Sequence, residues 1–332
     1  MRDAHHQRGT THGSRFVSRL TYSSFALGTL SVVAAPRPAE PRPTVAAAFA
    51  VRYRNVVSPD RVRALTVLPG ETVTLEVVAH TPALGYVARS AAGRLVPMAT
   101  GRWVWTAPPA PGLYPIQVVA PDGGDSITVQ AFVVVPYDLF QGELLNGYRI
   151  GRYPDKPLRG LASYSLPAGF VEVTPENGDV LVSPHFRLKQ FLCKEPGGSR
   201  KYIVLNERLL VALEYVLTGV HEAGYRATTF HVMSGYRTPA YNRSLGNVRY
   251  SQHQLGAAAD IFIDENGDGK MDDLNGDGRS DIRDAEVLYR LIDAAVARPG
   301  AQGLIGGIGR YPATAAHGPF VHVDVRTGKA RW

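Results

Sequence analysis

The chain has 332 residues, enough for about two domains, and its 45% hydrophobic and 20% charged residues are typical of a globular protein. The formal net charge is +7, but Lys and Arg do not cluster with aromatic residues, which excludes the usual signature of a nucleic-acid-binding protein. The single cysteine, Cys193, excludes an intrachain disulfide.

Residues 1–35 are typical of a secretion signal. Arg15 and Arg19 precede an apolar run of small residues that ends at Ala35 and is shorter than the roughly 20 residues needed to span a bilayer. We therefore expect an exported protein of the periplasm or cell envelope. Two cleavage sites are possible, one after Ala35 and one at the later Ala-Phe-Ala of residues 48–50. An uncleaved segment that tethers the chain to a membrane is the alternative.

Residues 36–44 are rich in proline and charge, and they predict an extended spacer. Residues 45–136 predict an all-β domain, a small immunoglobulin-like sandwich, because β-branched or alternating segments are separated by turns that contain Pro and Gly. The predicted strands are 71–79, 102–107, 113–120 and 126–135. This domain contains no titratable cluster, so we expect a spacer or docking role, with binding to carbohydrate or cell wall as the alternative.

A connection rich in Tyr, Gly and Pro follows at 137–180, and we expect it to pack on the next domain and line its groove. Residues 181–332 predict an α+β domain, because helical segments and antiparallel strands follow one another. One helix is predicted from about 207 to 223, capped by Asn206 and ended by a glycine. A second helix is predicted to begin near Asp284.

Two imidazoles and one carboxylate of this domain predict a metal site. His253 and Asp260 stand seven residues apart, and the alternating segment 320–326 puts His322 on one face of a strand whose valines face the core. The other residues of the His322 face are Phe320, Asp324 and Arg326. A donor set of two nitrogens and one oxygen is typical of a catalytic zinc that keeps its fourth position for water. We therefore predict that His253, Asp260 and His322 bind zinc.

The segments SGYRTPAYN, SQHQLGAAADI and FVHVDVR resemble peptidase family M15, the zinc D,D-carboxypeptidases and endopeptidases that share the Hedgehog/DD-peptidase fold, and in particular its DUF882-like periplasmic branch. The resemblance covers roughly residues 180–332, and its motif residues are Ser251, His253, Asp260 and His322. It implies a Hedgehog/DD-peptidase-like fold and a peptidoglycan peptide as substrate. It also implies that Arg237 and Ser251 bind the substrate, with a structural salt bridge for Arg237 and a turn hydroxyl for Ser251 as alternatives.

The general base departs from the family pattern. Many members carry Glu three residues before the last ligand or His two residues before it, and these positions are Pro319 and Phe320 here. His317 is the first candidate for a base and Asp324 the second, although a partner that orients an imidazole is the more typical role for Asp324.

The function expected from these residues is that of an exported zinc metallopeptidase that hydrolyses stem-peptide bonds of peptidoglycan. The alternatives are a catalytically weak, zinc-containing protein that binds or scaffolds the cell wall, and a zinc-dependent signalling or adhesion module. The choice between D,D- and L,D-bonds and the oligomeric state stay open.

The acidic segment 264–284 predicts a second metal. It contains NGDG twice, and the second copy has the spacing of an EF-hand-like calcium loop. The pattern also resembles thrombospondin type 3 and dockerin repeats. The predicted calcium ligands are Asp264, Asn266, Asp268, Asp272, Asp273, Asn275, Asp277, Asp281 and Asp284. We expect a structural calcium site, with a solvated acidic loop as the alternative.

Overall fold

The computed structural model describes residues 46–54, 56–79, 85–140 and 142–332. The predicted signal and spacer lie outside the described residues. Contacts between Cα atoms place Thr44–Trp332 in one compact unit. No helix within the described ranges is both long and apolar enough to cross a membrane. The protein is rich in β-structure and has few helices.

The N-terminal part consists of two sheets around a shared core. The first sheet has five strands in the order β2-β1-β4-β7-β6, and the second has four in the order β3-β9-β8-β5. Their bounds are β1 Ala46–Tyr53, β2 Val56–Asp60, β3 Val62–Val67, β4 Thr72–Val78, β5 Val87–Ser90, β6 Arg94–Ala99, β7 Arg102–Thr106, β8 Gly112–Val119 and β9 Ser126–Val133. Neighbouring strands are antiparallel except β3 and β9. Both sheets contribute to the core, as Tyr53, Leu65 and Trp105 show.

The four predicted strands are confirmed as β4, β7, β8 and β9. The sequence missed the other five strands, among them the alanine-rich β1. This strand corrects one expectation about processing. The Ala-Phe-Ala at 48–50 lies inside β1, and Phe49 is buried in the sandwich core, so cleavage there would remove part of the fold. The immunoglobulin-like topology stays a prediction.

Short strands join the sandwich to the C-terminal part. They are β10 Val135–Pro136, β11 Leu144–Leu145, β12 Tyr148–Arg149, β13 Gly169–Val173, β14 Leu181–Ser183, β15 Phe186–Arg187 and β16 Lys201–Ile203. Strands β10, β13 and β16 form one sheet. An aromatic cluster around Tyr148, Tyr153, Phe170 and Tyr202 gives this region its own core. Because Ala64 and Val134 belong to the large C-terminal core, the sandwich and the C-terminal part pack directly against each other.

The C-terminal part is a five-stranded sheet with helices packed on it. The strands are β17 His231–Ser234, β18 Ala258–Phe262, β19 Gly307–Tyr311, β20 Phe320–Asp324 and β21 Ala330–Arg331, in the order β17-β18-β20-β19-β21. The helices are α1 Glu207–Glu222, α2 Pro239–Ser244 and α3 Ile282–Val296. Leucines of α1 and α3 and the valines of β20 share one core, which buries one face of the sheet.

Both predicted helices are confirmed. The side chain of Asn206 caps α1 by accepting from the Arg208 N–H, and α3 begins at Ile282, two residues before the predicted start. The sequence missed α2 because its six residues are too few for a periodic pattern.

Candidate metal centre and cleft

Strand register brings two of the predicted ligands together. On β18, Asp260 lies directly opposite His322 of β20 and opposite Ser234 of β17. His253 lies in a one-turn 3-10 helix just before β18. The turn that connects them needs Gly256, whose φ is +60° and whose hypothetical Cβ would lie 2.1 Å from the carbonyl oxygen of Val204. This tight turn therefore brings His253 close to Asp260, the next predicted ligand along the chain.

The three predicted zinc ligands converge on one point. His253 Nε2 lies 3.2 Å from Asp260 Oδ1 and 3.2 Å from His322 Nδ1, and His322 Nδ1 lies 2.8 Å from Asp260 Oδ1. Ligand atoms about 2.0–2.1 Å from a tetrahedral zinc are separated by about 3.3 Å, so the observed set fits such an ion. Within the described part of the chain, this is the only group of three such side chains whose ligand atoms lie within 4.8 Å of one another.

The remaining ring nitrogens are held by hydrogen-bond acceptors. His253 Nδ1 lies 2.7 Å from the carbonyl oxygen of Gly235, which can only accept, so this nitrogen carries the proton and Nε2 is left as a ligand. His322 Nε2 lies 3.0 Å from Asp324 Oδ2, which leaves Nδ1 as the ligand. Such outer partners fix the tautomer and orientation of metal-binding imidazoles. The triad is therefore preorganised for a cation.

Burial and charge set the protonation of the triad. Burial alone would raise the pKa of Asp260, but His253 and His322 hold it well below its ordinary value. Burial lowers the pKa of His253. Burial also acts to lower the pKa of His322, but hydrogen bonds to Asp260 and Asp324 outweigh it and raise that pKa. The carboxylate ligand and one imidazole are thus kept in their metal-binding forms, while a proton competes for the second imidazole.

The predicted substrate-binding residues lie beside the triad. Arg237 pairs with Asp260 through Nη2, and its Nε donates to Ser234 Oγ over 2.7 Å. Ser251 is half-buried, and its hydroxyl makes no capping bond to the turn that it begins. Arg237 and Ser251 line a cleft of about 510 Å³ together with all three ligands. The salt bridge of the alternative interpretation is therefore present, because Arg237 pairs with Asp260. Arg237 also lines the cleft, so the salt bridge does not exclude substrate binding.

The two candidates for the general base lie in different places. Asp324 is fully buried and contacts His322 at the ring nitrogen that points away from the triad. Its carboxylate also pairs with Arg326 and accepts the N–H groups of Gly307 and Arg326. Asp324 is not among the residues that line the cleft. This position favours the alternative interpretation, in which Asp324 orients the imidazole of His322.

His317 is the candidate that lines the cleft. Its Nδ1 lies 2.8 Å from the carbonyl oxygen of Gly318, and its ring packs against Phe320 at 5.0 Å. Because the carbonyl oxygen accepts the Nδ1 proton, Nε2 of the neutral ring has a free lone pair. His317 therefore has the tautomer that a general base needs.

The connection at 137–180 was expected to line this groove, and this stays a prediction. None of its described residues is among those that line the cleft, but Ser163 accepts from Gln252 Nε2 over 3.0 Å and Tyr164 contacts Tyr250, and both partners are cleft residues. The connection also packs against the segments that carry the site. The Tyr153 hydroxyl lies 2.9 Å from that of Tyr236 and donates to the carbonyl oxygen of Gln254 over 3.0 Å. These bonds support the segments that carry Arg237 and His253.

The acidic segment forms two tight turns. Asp264, Asn266, Asp268 and Asp272 accept backbone N–H groups in the first turn, and Asp273, Asn275 and Asp277 do so in the second. Asp281 caps α3, and the fully buried Asp284 accepts N–H groups of Leu274, Asn275 and Asp281. The described side chains of this segment do not bring three carboxylates within 4.8 Å of one another. Calcium binding stays a prediction.

Sequence reasoning missed the aromatic border of the cleft. Tyr311 and Trp332 line it, and the Trp332 ring lies 5.4 Å from the His322 ring. Trp332 donates from Nε1 to the Tyr311 hydroxyl over 2.6 Å. A Cβ at Gly309 would lie 2.4 Å from the indole, so glycine at this position of β19 makes room for the ring. The Gly-rich segment before Tyr311 was the available signal.

Comparison with known proteins identifies one family. Residues 184–275 match the family model described as peptidase M15. The matched range contains Arg237, Ser251, His253 and Asp260 and ends before His322. The comparison with curated proteins found no match, and the comparison with solved structures found none either.

Proposed function

Because the chain contains a domain of the peptidase M15 family, whose members depend on zinc, we propose that it is an exported zinc metallopeptidase. In this proposal it hydrolyses stem-peptide bonds of peptidoglycan, as a D,D- or L,D-carboxypeptidase or endopeptidase. The observation that carries the proposal is the convergence of His253, Asp260 and His322 at the bottom of an open cleft. The resemblance of the motifs to the family supports the substrate class, and the apolar segment before Ala35 supports export.

The residues in and around the cleft have different roles in the proposed reaction. A zinc ion bound by the triad would supply a Lewis acid and a water molecule with a pKa near 7. Asp324 and the carbonyl of Gly235 keep the two imidazoles oriented. Arg237 pairs with Asp260 and presents a guanidinium to the cleft, where it stabilises negative charge that develops on a substrate oxygen. His317 accepts the proton of the attacking water at Nε2 and returns it to the leaving amine.

The experiment measures zinc content and peptide cleavage in parallel. The purified chain should contain one zinc ion and release new termini from muropeptides, detected by mass spectrometry. His253→Ala should lose both properties. His231→Ala is the matched control, because His231 is exposed and stacks on Phe262 outside the cleft. Full cleavage by a zinc-free preparation, or by the His253→Ala variant, would reject the proposal.

One observation favours the second candidate, a wall-binding protein with little activity. Phe320 occupies a position where family members carry a base, and its ring stacks on Tyr311 at 4.7 Å, so a packing residue replaces a proton acceptor. A wall-binding protein would bind purified peptidoglycan in a pull-down assay and produce no new termini. Cleavage that depends on His317 would exclude this candidate.

Calcium binding by the acidic segment belongs to the same proposal and rests on the residue spacing. Calcium would bind oxygen ligands of residues 273–284 and stiffen the link between β18 and α3. Calorimetric titration with calcium chloride should give a saturable signal that Asp277→Asn weakens. Equal signals with calcium and magnesium, or none with calcium, would reject a calcium site.

A further inference from the structure

A second arginine borders the cleft on the side of His322. Arg326 follows β20, and its Nε lies 2.8 Å from both carboxylate oxygens of Asp324. Its guanidinium lies over the Trp332 ring, 5.3 Å from the ring centre. The carboxylate and the indole together fix the plane of the guanidinium, so little conformational freedom is left for a ligand to remove.

Each arginine of the cleft has one guanidinium nitrogen that takes part in no hydrogen bond within the described residues. Arg237 uses Nε and Nη2, and Arg326 uses the same two atoms. Within the described residues, the Nη1 atoms of Arg237 and Arg326 have no hydrogen-bond partner. The Arg326 side chain is 27% exposed and lines the cleft. An N–H donor of a fixed cation that borders a cleft is suited to bind an anion.

The two arginines lie at the ends of one chain of contacts. Arg237 contacts Asp260, which contacts His322, which in turn contacts Asp324 and then Arg326. A peptide that lies across the metal ligands therefore meets one guanidinium near each end. Asp260 is the only carboxylate side chain among the residues that line the cleft in the described part of the chain, so no other acidic side chain of the lining repels an anionic ligand.

We propose that Arg326 binds a carboxylate of the peptide substrate, separate from the group that Arg237 binds. This inference rests on the proposed function and narrows its substrate class to peptides that carry a carboxylate within reach of Arg326, on the His322 side of the triad. Trp332 acts as the support that holds Arg326 in the binding orientation. Arg326 is then a residue that determines specificity, in addition to its contact with Asp324.

The test compares acid and amide forms of one peptide. The probe is a synthetic pentapeptide that ends in D-Ala-D-Ala and carries two further carboxylates, with variants in which each carboxylate in turn is a carboxamide. Binding is measured by calorimetry on the zinc-depleted full chain, which prevents turnover, and cleavage is measured by chromatography on the zinc-loaded chain. One carboxylate should improve binding about tenfold or more over its amide, the usual contribution of a charge-assisted hydrogen bond.

Arg326→Gln should abolish this preference, and Arg326→Lys should keep part of it. Arg310→Gln is the matched control. This substitution removes the same charge as Arg326→Gln, but Arg310 pairs with Glu286 outside the cleft. A structural role through Asp324 alone would lower the cleavage of all peptides and leave the ratio of acid to amide binding unchanged. That unchanged ratio, or equal binding of all peptides by the wild-type chain, would overturn the proposal. If Arg326→Gln loses the preference for the acid form and the zinc-loaded wild-type chain cleaves no peptide, the result would support carboxylate binding by Arg326 and reject the proposed hydrolase function.

Discussion

Replacing Asp324 by asparagine tests how strongly a buried carboxylate behind the triad controls metal affinity. Asp324 is fully buried, lies 3.0 Å from His322 Nε2 and pairs with Arg326. Asparagine keeps the size and one acceptor oxygen but removes the negative charge. The imidazole becomes a weaker ligand, and the charge of Arg326 is left uncompensated near the cation. Loss of such an outer partner weakens metal binding about 10- to 100-fold, or about 1.4–2.7 kcal/mol.

The assay is competition for zinc against a chromophoric chelator at neutral pH and fixed ionic strength. Asp293→Asn is the matched control, because Asp293 pairs with Arg331 at 2.7 Å, away from the triad. The control should keep the zinc dissociation constant of the wild type. If Asp324→Asn also kept it within twofold while the fold stayed intact by circular dichroism, the account of Asp324 as the residue that orients His322 would be refuted.

Three further predictions concern the turn, the base and the contact between the two parts of the chain. Gly256→Ala should lower the free energy of unfolding by about 3 kcal/mol or more, because the methyl group meets a backbone carbonyl. Gly267→Ala, with φ +73° and nothing within 4 Å, should lose only about 1 kcal/mol in the same denaturant titration, and equal losses would contradict this explanation. His317→Ala should keep its zinc and lose about 10²- to 10⁴-fold in kcat, and an unchanged kcat would remove it as the base. Glu207→Ala should destabilise by about 1–3 kcal/mol in urea, because Glu207 accepts from a threonine N–H of β3 over 2.7 Å; a loss below about 0.5 kcal/mol would argue against this contact.

The position of one candidate metal ligand, His322, was predictable from a local rule. Alternation along β20 puts His322 and Asp324 on one face and the valines in the core, and the structure agrees. The pairing of Asp260 with His322 was not predictable in the same way. Register between strands 62 residues apart depends on the packing of the whole sheet, which no local pattern encodes. The zinc prediction therefore needed the combination of ligand types as well as their spacing.

The role of Asp324 shows where strand periodicity stops being informative. Periodicity places Asp324 on the face of His322 but cannot tell whether that face is open or covered. His322 and Arg326 of this face line the cleft, whereas Asp324 does not and is fully buried in its pair with Arg326. The guanidinium of Arg326 lies over the Trp332 ring, and β21 carries the chain back beside β19. The exposure of a carboxylate on this face therefore depends on the long-range return of the chain.

The acidic segment shows the opposite limit, in which one spacing has two physical meanings. Asp273 accepts the N–H groups of Gly276, Asp277 and Gly278, and these bonds, above all the bond from Gly278, lower the pKa of its carboxyl. Such turns form without an ion, and the same Asp-x-Asn-x-Asp-Gly order also serves calcium loops. Asp273 Oδ1 accepts two N–H groups, but Oδ2 accepts only one and keeps a second lone pair, so the turn and the ion are compatible. Calcium, if bound, would therefore add to a loop that backbone hydrogen bonds have already shaped, and its effect should appear as added thermal stability with little change in secondary structure.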